Sequence, residues 1–327
     1  MTFELSTENS QPLPAWLKWQ GETRPGLEDL ESWVRDNRAS MEATVLDSGA
    51  LVIRGLMLES PRAFRDVCAC YNPDLKNYAG GDSPRTGVAD QVYTSTEYDA
   101  DLEVLLHNEL SYAGWCPERV FFGCLVAAES GGATTLADGR CIYRALDPAV
   151  RARFETLGIT YLQHLWDEDV APGPGKSWQE TFETSSRMEA EDYLDRSGMT
   201  FTWTDQGIRT AALKPAVLVH PQTGENCWHN QADQWHRDMP SVKDSVSGTE
   251  QPDIDHRCGE ETLGNHVVFG DGSEIPLEDL RHIREVSREM EVVNPWQNGD
   301  VVIIDNTSTM HGRKPFTGER QVLVAMA

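Results

Sequence analysis

The chain contains no stretch approaching the roughly 20 consecutive apolar residues that a membrane-spanning helix needs, so helical membrane proteins are excluded. Basic side chains are also scarce. Lys and Arg number 28 against 53 Asp and Glu, a formal net charge of −25. A surface of that sign repels nucleic acid and anionic membranes, because binding to either depends on cationic contacts. The acidic residues are spread along all 327 positions rather than gathered in a tail. They read as a solvated surface, and an anionic ligand would need its own local cations. The amino terminus, MTFELSTENSQPLPAW, lacks a basic segment followed by an apolar one, so no secretory leader is expected. Seven cysteines form no regular framework, which points to reduced thiols and a cytoplasmic setting. Cys68 and Cys70 stand two apart in a predicted helix, where side chains diverge, and their spacing fits no zinc motif. No repeat or low-complexity linker divides the chain, so residues 1–327 read as one domain.

What is present alternates between helix and strand signals. Leu27, Leu30, Trp33 and Val34 share a helical face, and residues 50–56 (ALVIRGL) form a short buried strand by their continuous apolar run. Ser60-Pro61 is a cap followed by a first-turn proline and predicts a helix through about Tyr71. RVFFGCLVAAES is a strand broken by Gly131-Gly132, and Asp147-Pro148 opens a helix that Gly158 ends. Midway, the Gly/Pro-rich APGPGKSWQETF leads to Ser177 with Glu180 three residues on, a capping-box pattern that Ser186 and Glu189 repeat. Residues 170–200 are therefore expected to be a helical insertion, either a mobile lid or a surface decoration. Short β-like runs follow (FTWTD, IRTAALK, PAVLVH), then a helix over 276–290. VVIID and RQVLVAM are expected to pair antiparallel, with His311 in the connection between them and Arg320 opening the last strand. The expected class is β-rich α+β: a double-stranded β-helix, or jelly roll, flanked by helices.

Two distant fragments carry chemistry. In LEVLLHNEL the strand alternation predicts Leu105, His107 and Glu109 on one face, so a histidine and a carboxylate two apart can reach a single ion. His311 lies in STMHGRKPFTGER. Two neutral imidazoles and one carboxylate can hold one face of a ferrous ion and leave its other positions open. Zinc accepts the same set. Arg320 shares a face with Val322 and Val324. A guanidinium among apolar neighbours requires an anion, either an internal carboxylate or that of a ligand.

These residues resemble the taurine dioxygenase-like branch of the iron(II)- and 2-oxoglutarate-dependent oxygenases, over most of the chain. The family's His-x-Asp/Glu and distant His match His107, Glu109 and His311. Its arginine for the far carboxylate of 2-oxoglutarate matches Arg320, and its Gly-Gly-x-Thr segment matches Gly131, Gly132 and Thr134. Glutamate at 109 and the segments SPRTGVADQVYTSTEY, NQADQWH and NHVVFGDGSEIP are similar to clavaminate synthase-like proteins and to amino-acid hydroxylases of nonribosomal peptide pathways, aspartyl hydroxylases among them. A second arginine of taurine dioxygenase is Ala325 here, which argues against a sulfonate substrate.

The resemblance implies Fe(II), 2-oxoglutarate and O2, with oxidative decarboxylation to succinate and CO2 and hydroxylation of an aliphatic C–H. The β-carbon of an amino acid or small peptide is the expected target. Related halogenases lack the carboxylate that Glu109 supplies, so halogenation is disfavoured, whereas desaturation and epoxidation use the same ligands. The substrate could be free or tethered to a carrier protein, and the −25 charge favours the free form, since carrier domains are usually acidic. Arg85, Asp233, His236 and Arg237 in the family-like segments, and Arg313 in HGRKP, are candidates for substrate carboxylate and ammonium groups. Arg313 would alternatively brace its turn. A metal-sensing jelly roll and a zinc hydrolase remain as readings from other classes.

Overall fold

The apolar runs become neighbours in one sheet. In the computed structural model, which describes residues 3–7, 13–170, 175–239 and 264–327, strands Ala50–Arg54, Val301–Asp305, Arg119–Val126 and Gln321–Met326 lie side by side in an eight-stranded sheet. Their side chains alternate between two cores. Val52, Phe122, Val302 and Val324 point into the interior that also holds Leu136 of a second sheet. Leu51, Phe121, Ile303 and Leu323 point the other way, into a core shared with Leu30, Val34, Phe64 and Val67. Burial on both faces explains why these strands read as unbroken apolar runs rather than as alternating ones.

Helix Leu27–Ser48 covers that outer face, with Leu30, Val34, Met41 and Val45 buried. Helix Pro61–Tyr71 joins it, begun by Ser60, whose hydroxyl accepts the Ala63 N–H, and carrying buried Cys68 beside half-buried Cys70. Helix Pro148–Leu157 starts at Asp147 and stops at Gly158 as the local signals predict.

Two expectations about strand pairing fail. Val301–Asp305 and Gln321–Met326 do not pair with each other; each runs antiparallel to Arg119–Val126, which separates them. They are thus parallel to one another, and parallel strands need a crossover rather than a hairpin. The crossover contains a strand of its own, Thr309–Arg313, entirely buried in a second sheet ordered Val292–Asn294, Thr134–Asp138, Thr309–Arg313, Val104–His107. His311 accordingly stands on a sheet strand, not in a connecting loop.

The central insertion is helical. Trp178–Phe182 begins with the full reciprocal capping box of Ser177 and Glu180, and Arg187–Arg196 begins with Ser186 accepting the Glu189 N–H. Residues 171–174 of the Gly/Pro-rich loop lie outside the described residues. The insertion rests on a separate four-stranded sheet of Thr200–Thr204, Gly207–Lys214, Ile159–Trp166 and Gly264–Phe269. Trp178, Phe182, Ala190 and Leu194 are buried in the main interior core, so this part of the chain is packed rather than appended.

Candidate metal centre

Antiparallel register sets the two histidines opposite each other. His311 pairs across the ladder with His107 on one side and with Leu136 on the other. Directly opposed residues in a sheet place their side chains in contact, and the two imidazole centroids are 4.3 Å apart. Phe122 of the large sheet closes on His311 edge-on at 5.1 Å. The ladder is irregular after His311, and Gly312 fills the irregularity because a Cβ there would stand 2.5 Å from the Val104 carbonyl oxygen.

Glu109 arrives differently from the way the alternation predicts. Strand Val104–His107 ends at the histidine, and the chain turns through Leu110 at φ 56°. Asn306 fixes that turn: its side-chain oxygen accepts the Glu109 N–H at 2.8 Å, and its amide donates to the Glu109 carbonyl at 3.0 Å. Ligand atoms of His107, Glu109 and His311 nevertheless all lie within 4.8 Å of one another. Asn306, a buried amide just past an apolar strand, had no readable signal in the sequence beyond that position.

The donors suit a divalent cation. His107 Nδ1 sits 2.8 Å from the Leu105 carbonyl oxygen and donates to it, which leaves the Nε2 lone pair for a ligand. Burial, helped by His311, pushes the His107 imidazole down to about 4, so it is neutral near pH 7. Both ring nitrogens of His311 are buried with no hydrogen-bond partner among the described residues. Burial acts to raise the Glu109 carboxyl, but Arg85 and the two imidazoles outweigh it and hold the group well below the usual carboxylate range. Arg85 Nη2 donates to Glu109 Oε2 at 2.8 Å, and its guanidinium lies over the Tyr78 ring. Its Nε and Nη1 are buried without a partner. Buried polar atoms without partners are costly and call for an occupant.

Two cavities meet at His107. One is lined by Arg85, Thr134, His311, Arg313 and Arg320 and has no carboxylate in its wall. Arg320 donates through Nε to the Gly132 carbonyl at 3.0 Å and through Nη1 to Ser95 Oγ at 3.1 Å. Gly132 is needed here, since its φ is +67° and a Cβ would stand 3.0 Å from Arg320 Cδ. Burial and the neighbouring Arg313 lower the Arg320 guanidinium to about 10, the mark of a cation lacking its anion. Thr134 Oγ1 accepts the Trp296 indole N–H at 3.1 Å, which frees the hydroxyl proton to point elsewhere. The second cavity is lined by Asp82, Ser83, Tyr98, Gln231, Gln234 and Asn265 beside Glu109.

The remaining candidates divide. Arg313 sends its two terminal nitrogens to the backbone carbonyls of Thr96, Tyr98, Asp99 and Leu102, so it braces that segment although it borders the first cavity. Asp233 lines neither cavity; its carboxylate accepts from Arg284 Nε at 3.1 Å. His236 and Arg237 also lie outside both linings. Ser95 lines the first cavity, Asp82 lines the second and Trp296 holds Thr134, and sequence patterning singles out none of the three.

Trp296→Phe removes the donor that orients Thr134, the residue that the family resemblance assigns to the far carboxylate of 2-oxoglutarate. Loss of one such hydrogen bond is worth about 0.5–1.5 kcal/mol, so half-saturation by 2-oxoglutarate should rise roughly 2- to 10-fold. Steady-state kinetics at varied 2-oxoglutarate check this, and a fall in kcat at unchanged half-saturation would contradict it.

Comparison with known proteins shows the family. Residues 9–326 match the taurine catabolism dioxygenase TauD, TfdA family. The dapdiamide synthesis protein DdaC of Enterobacter agglomerans is 34% identical over 284 residues, covering 86% of this chain and 82% of the relative. A clavaminate synthase-like protein of Arabidopsis thaliana is 28% identical, covering 97% and 94%. A taurine dioxygenase from Burkholderia xenovorans has the same fold at a TM-score of 0.56, with 15% identity over 99% of this chain and 88% of that one. The chain therefore belongs to the TauD, TfdA family and is a non-haem dioxygenase that depends on Fe(II) and 2-oxoglutarate and consumes O2.

Proposed function

We propose that this dioxygenase hydroxylates an aliphatic C–H, at the β-carbon, of a free amino acid or short peptide, in the making of a specialised metabolite. The observation that carries the proposal is the placement of the three ligand atoms between two cavities of unlike character. His107, Glu109 and His311 would hold the iron, which supplies the oxidising power drawn from O2 and the decarboxylation of 2-oxoglutarate. Substrate C–H, 2-oxoglutarate and O2 together become alcohol, succinate and CO2.

The cationic cavity suits a dianionic cosubstrate. Arg320 binds its far carboxylate through the planar fork, and the Thr134 hydroxyl donates to the same group. Arg85 keeps Glu109 ionised, and its two unpartnered nitrogens suit a carboxylate approaching the metal. On the other side Asp82 and Glu109 bring negative charge to a cavity whose wall carries no Lys or Arg, and with Glu109 committed to the iron and Arg85, Asp82 suits an ammonium. Substrate with both charges is an amino acid, and the relative named for dapdiamide synthesis supports that class. Arg313 and Asp233, committed to backbone carbonyls and to Arg284, take no substrate contact in this reading.

Within the insertion, residues 175–200 brace the second cavity from behind rather than line it. Lys176 donates to the Gly81 carbonyl at 3.0 Å, and Thr181 accepts the Gly80 N–H, so the insertion holds the segment that delivers Asp82. Residues 1–327 form one oxygenase domain in this reading. A zinc hydrolase would leave Arg320 without a carboxylate and is the weaker reading.

The test is to supply Fe(II), 2-oxoglutarate and O2 with a panel of free amino acids, short peptides and aminoacyl-carrier thioesters. Substrate-stimulated succinate with a product one oxygen heavier is expected from the free compounds. Products lacking two hydrogens would move the assignment to desaturation, and exclusive use of thioesters would move it to carrier-bound substrate. No stimulated succinate from folded, iron-loaded protein across the panel would overturn it.

A further inference from the structure

A second set of metal-ligating groups stands apart from the first. His236 follows the short helix Ala232–Trp235, His266 lies on strand Gly264–Phe269, and Glu274 follows in the next turn. One ligand atom from each lies within 4.8 Å of the others. The imidazole centroids are 4.7 Å apart, and Glu274 Oε2 is 3.4 Å from His236 Nε2 and 3.2 Å from His266 Nε2. Both rings are buried, at 4% and 5% exposure, whereas the Glu274 side chain is 70% exposed and opens the group to solvent.

Two observations ask for a cation. His236 Nε2 is buried with no hydrogen-bond partner among the described residues, its approach to Glu274 lacking hydrogen-bond geometry. Glu274 has no Lys or Arg partner among the described residues; the two imidazoles are its only charged-group neighbours.

We propose that His236, His266 and Glu274 form a second divalent-cation site, suited to zinc, with an open position facing solvent. Bound there, the ion ties the helix carrying Gln234 and Trp235 to the strand carrying Asn265, three residues that line the second cavity. It would thus set the width of that cavity from outside. The cost falls on the far nitrogens. His236 Nδ1 accepts the Asp238 N–H and His266 Nδ1 accepts the Arg237 N–H, both at the long distance of 3.3 Å. A metal on Nε2 moves the remaining ring proton to Nδ1, so both contacts must break.

That cost supplies a signature. Equilibrium dialysis against zinc at neutral pH, followed by metal analysis, should find one more zinc on the wild-type chain than on Glu274→Ala. The same difference should persist in a His107→Ala/His311→Ala background, which separates this site from the iron site. Removing an outer-shell partner costs about 10–100-fold in metal affinity, so losing a direct ligand should cost on the order of 100-fold or more. Glu274 is exposed enough for the variant to fold. In the double-histidine background, zinc should also speed amide hydrogen exchange at Arg237 and Asp238. Equal zinc content with and without Glu274, or zinc uptake that leaves those two amides unchanged, overturns the proposal.

Discussion

Replacing His311 with alanine abolishes measurable succinate formation and lowers iron affinity by on the order of 100-fold or more. The magnitude follows from comparison: groups that merely orient a ligand are worth about 10–100-fold in affinity, and His311 is placed to be a ligand itself. His107→Ala is expected to match it, because the two rings face each other across one ladder and, among the described residues, the metal-ligating group there consists of these two histidines and Glu109. Glu109→Ala adds a second loss. Arg85 is fully buried against that carboxylate, at 2% side-chain exposure, and would be left as an uncompensated buried charge. Its melting temperature should therefore fall along with iron affinity, whereas the histidine variants should lose iron while keeping most of their stability. Calorimetric titration with Fe(II) under anaerobic conditions, beside thermal unfolding, measures both. Retention of wild-type iron affinity in either histidine variant would remove these residues from the metal centre.

Arg320→Ala separates cosubstrate binding from metal binding. Truncating one partner of a buried charge pair costs about 2–5 kcal/mol, so 2-oxoglutarate affinity should fall on the order of 100-fold, with iron binding unchanged. Arg320→Lys should fall between, since it keeps the charge but loses the planar fork. Without cosubstrate the native arginine is a buried cation held by Gly132, Ser95 and the face of the Phe316 ring, with no carboxylate partner among the described residues. Its removal should leave stability nearly unchanged or improve it, a sign opposite to that for Glu109→Ala. Unchanged 2-oxoglutarate affinity would transfer the role to Arg85, whose Nε and Nη1 lack partners in the same cavity. Arg313 is a poor substitute because four backbone carbonyls already occupy its terminal nitrogens.

Local signals in the sequence determined local structure well. Ser60-Pro61, Asp147-Pro148 and the Ser177/Glu180 box each begin a helix where they predict one, because a cap acts on N–H groups two or three residues away. Continuous apolar runs marked the strands of the large sheet, because their burial on both faces leaves no polar alternation. The residue types and order of His107, Glu109, Thr134, His311 and Arg320 were likewise legible, since they carry a family's motif in sequence order.

Only the tertiary structure decided which of these groups meet. Sheet register between segments about 200 positions apart sets His107 against His311, and no local pattern encodes such a register. Asn306, nearly as distant, pulls Glu109 off the end of its strand and into reach of both rings. The same long-range packing committed Asp233 to Arg284 and Arg313 to backbone carbonyls, and it brought Trp296 onto Thr134. A sequence displays the donors and acceptors a chain owns; the fold assigns their partners, because pairing depends on distances that only packing creates.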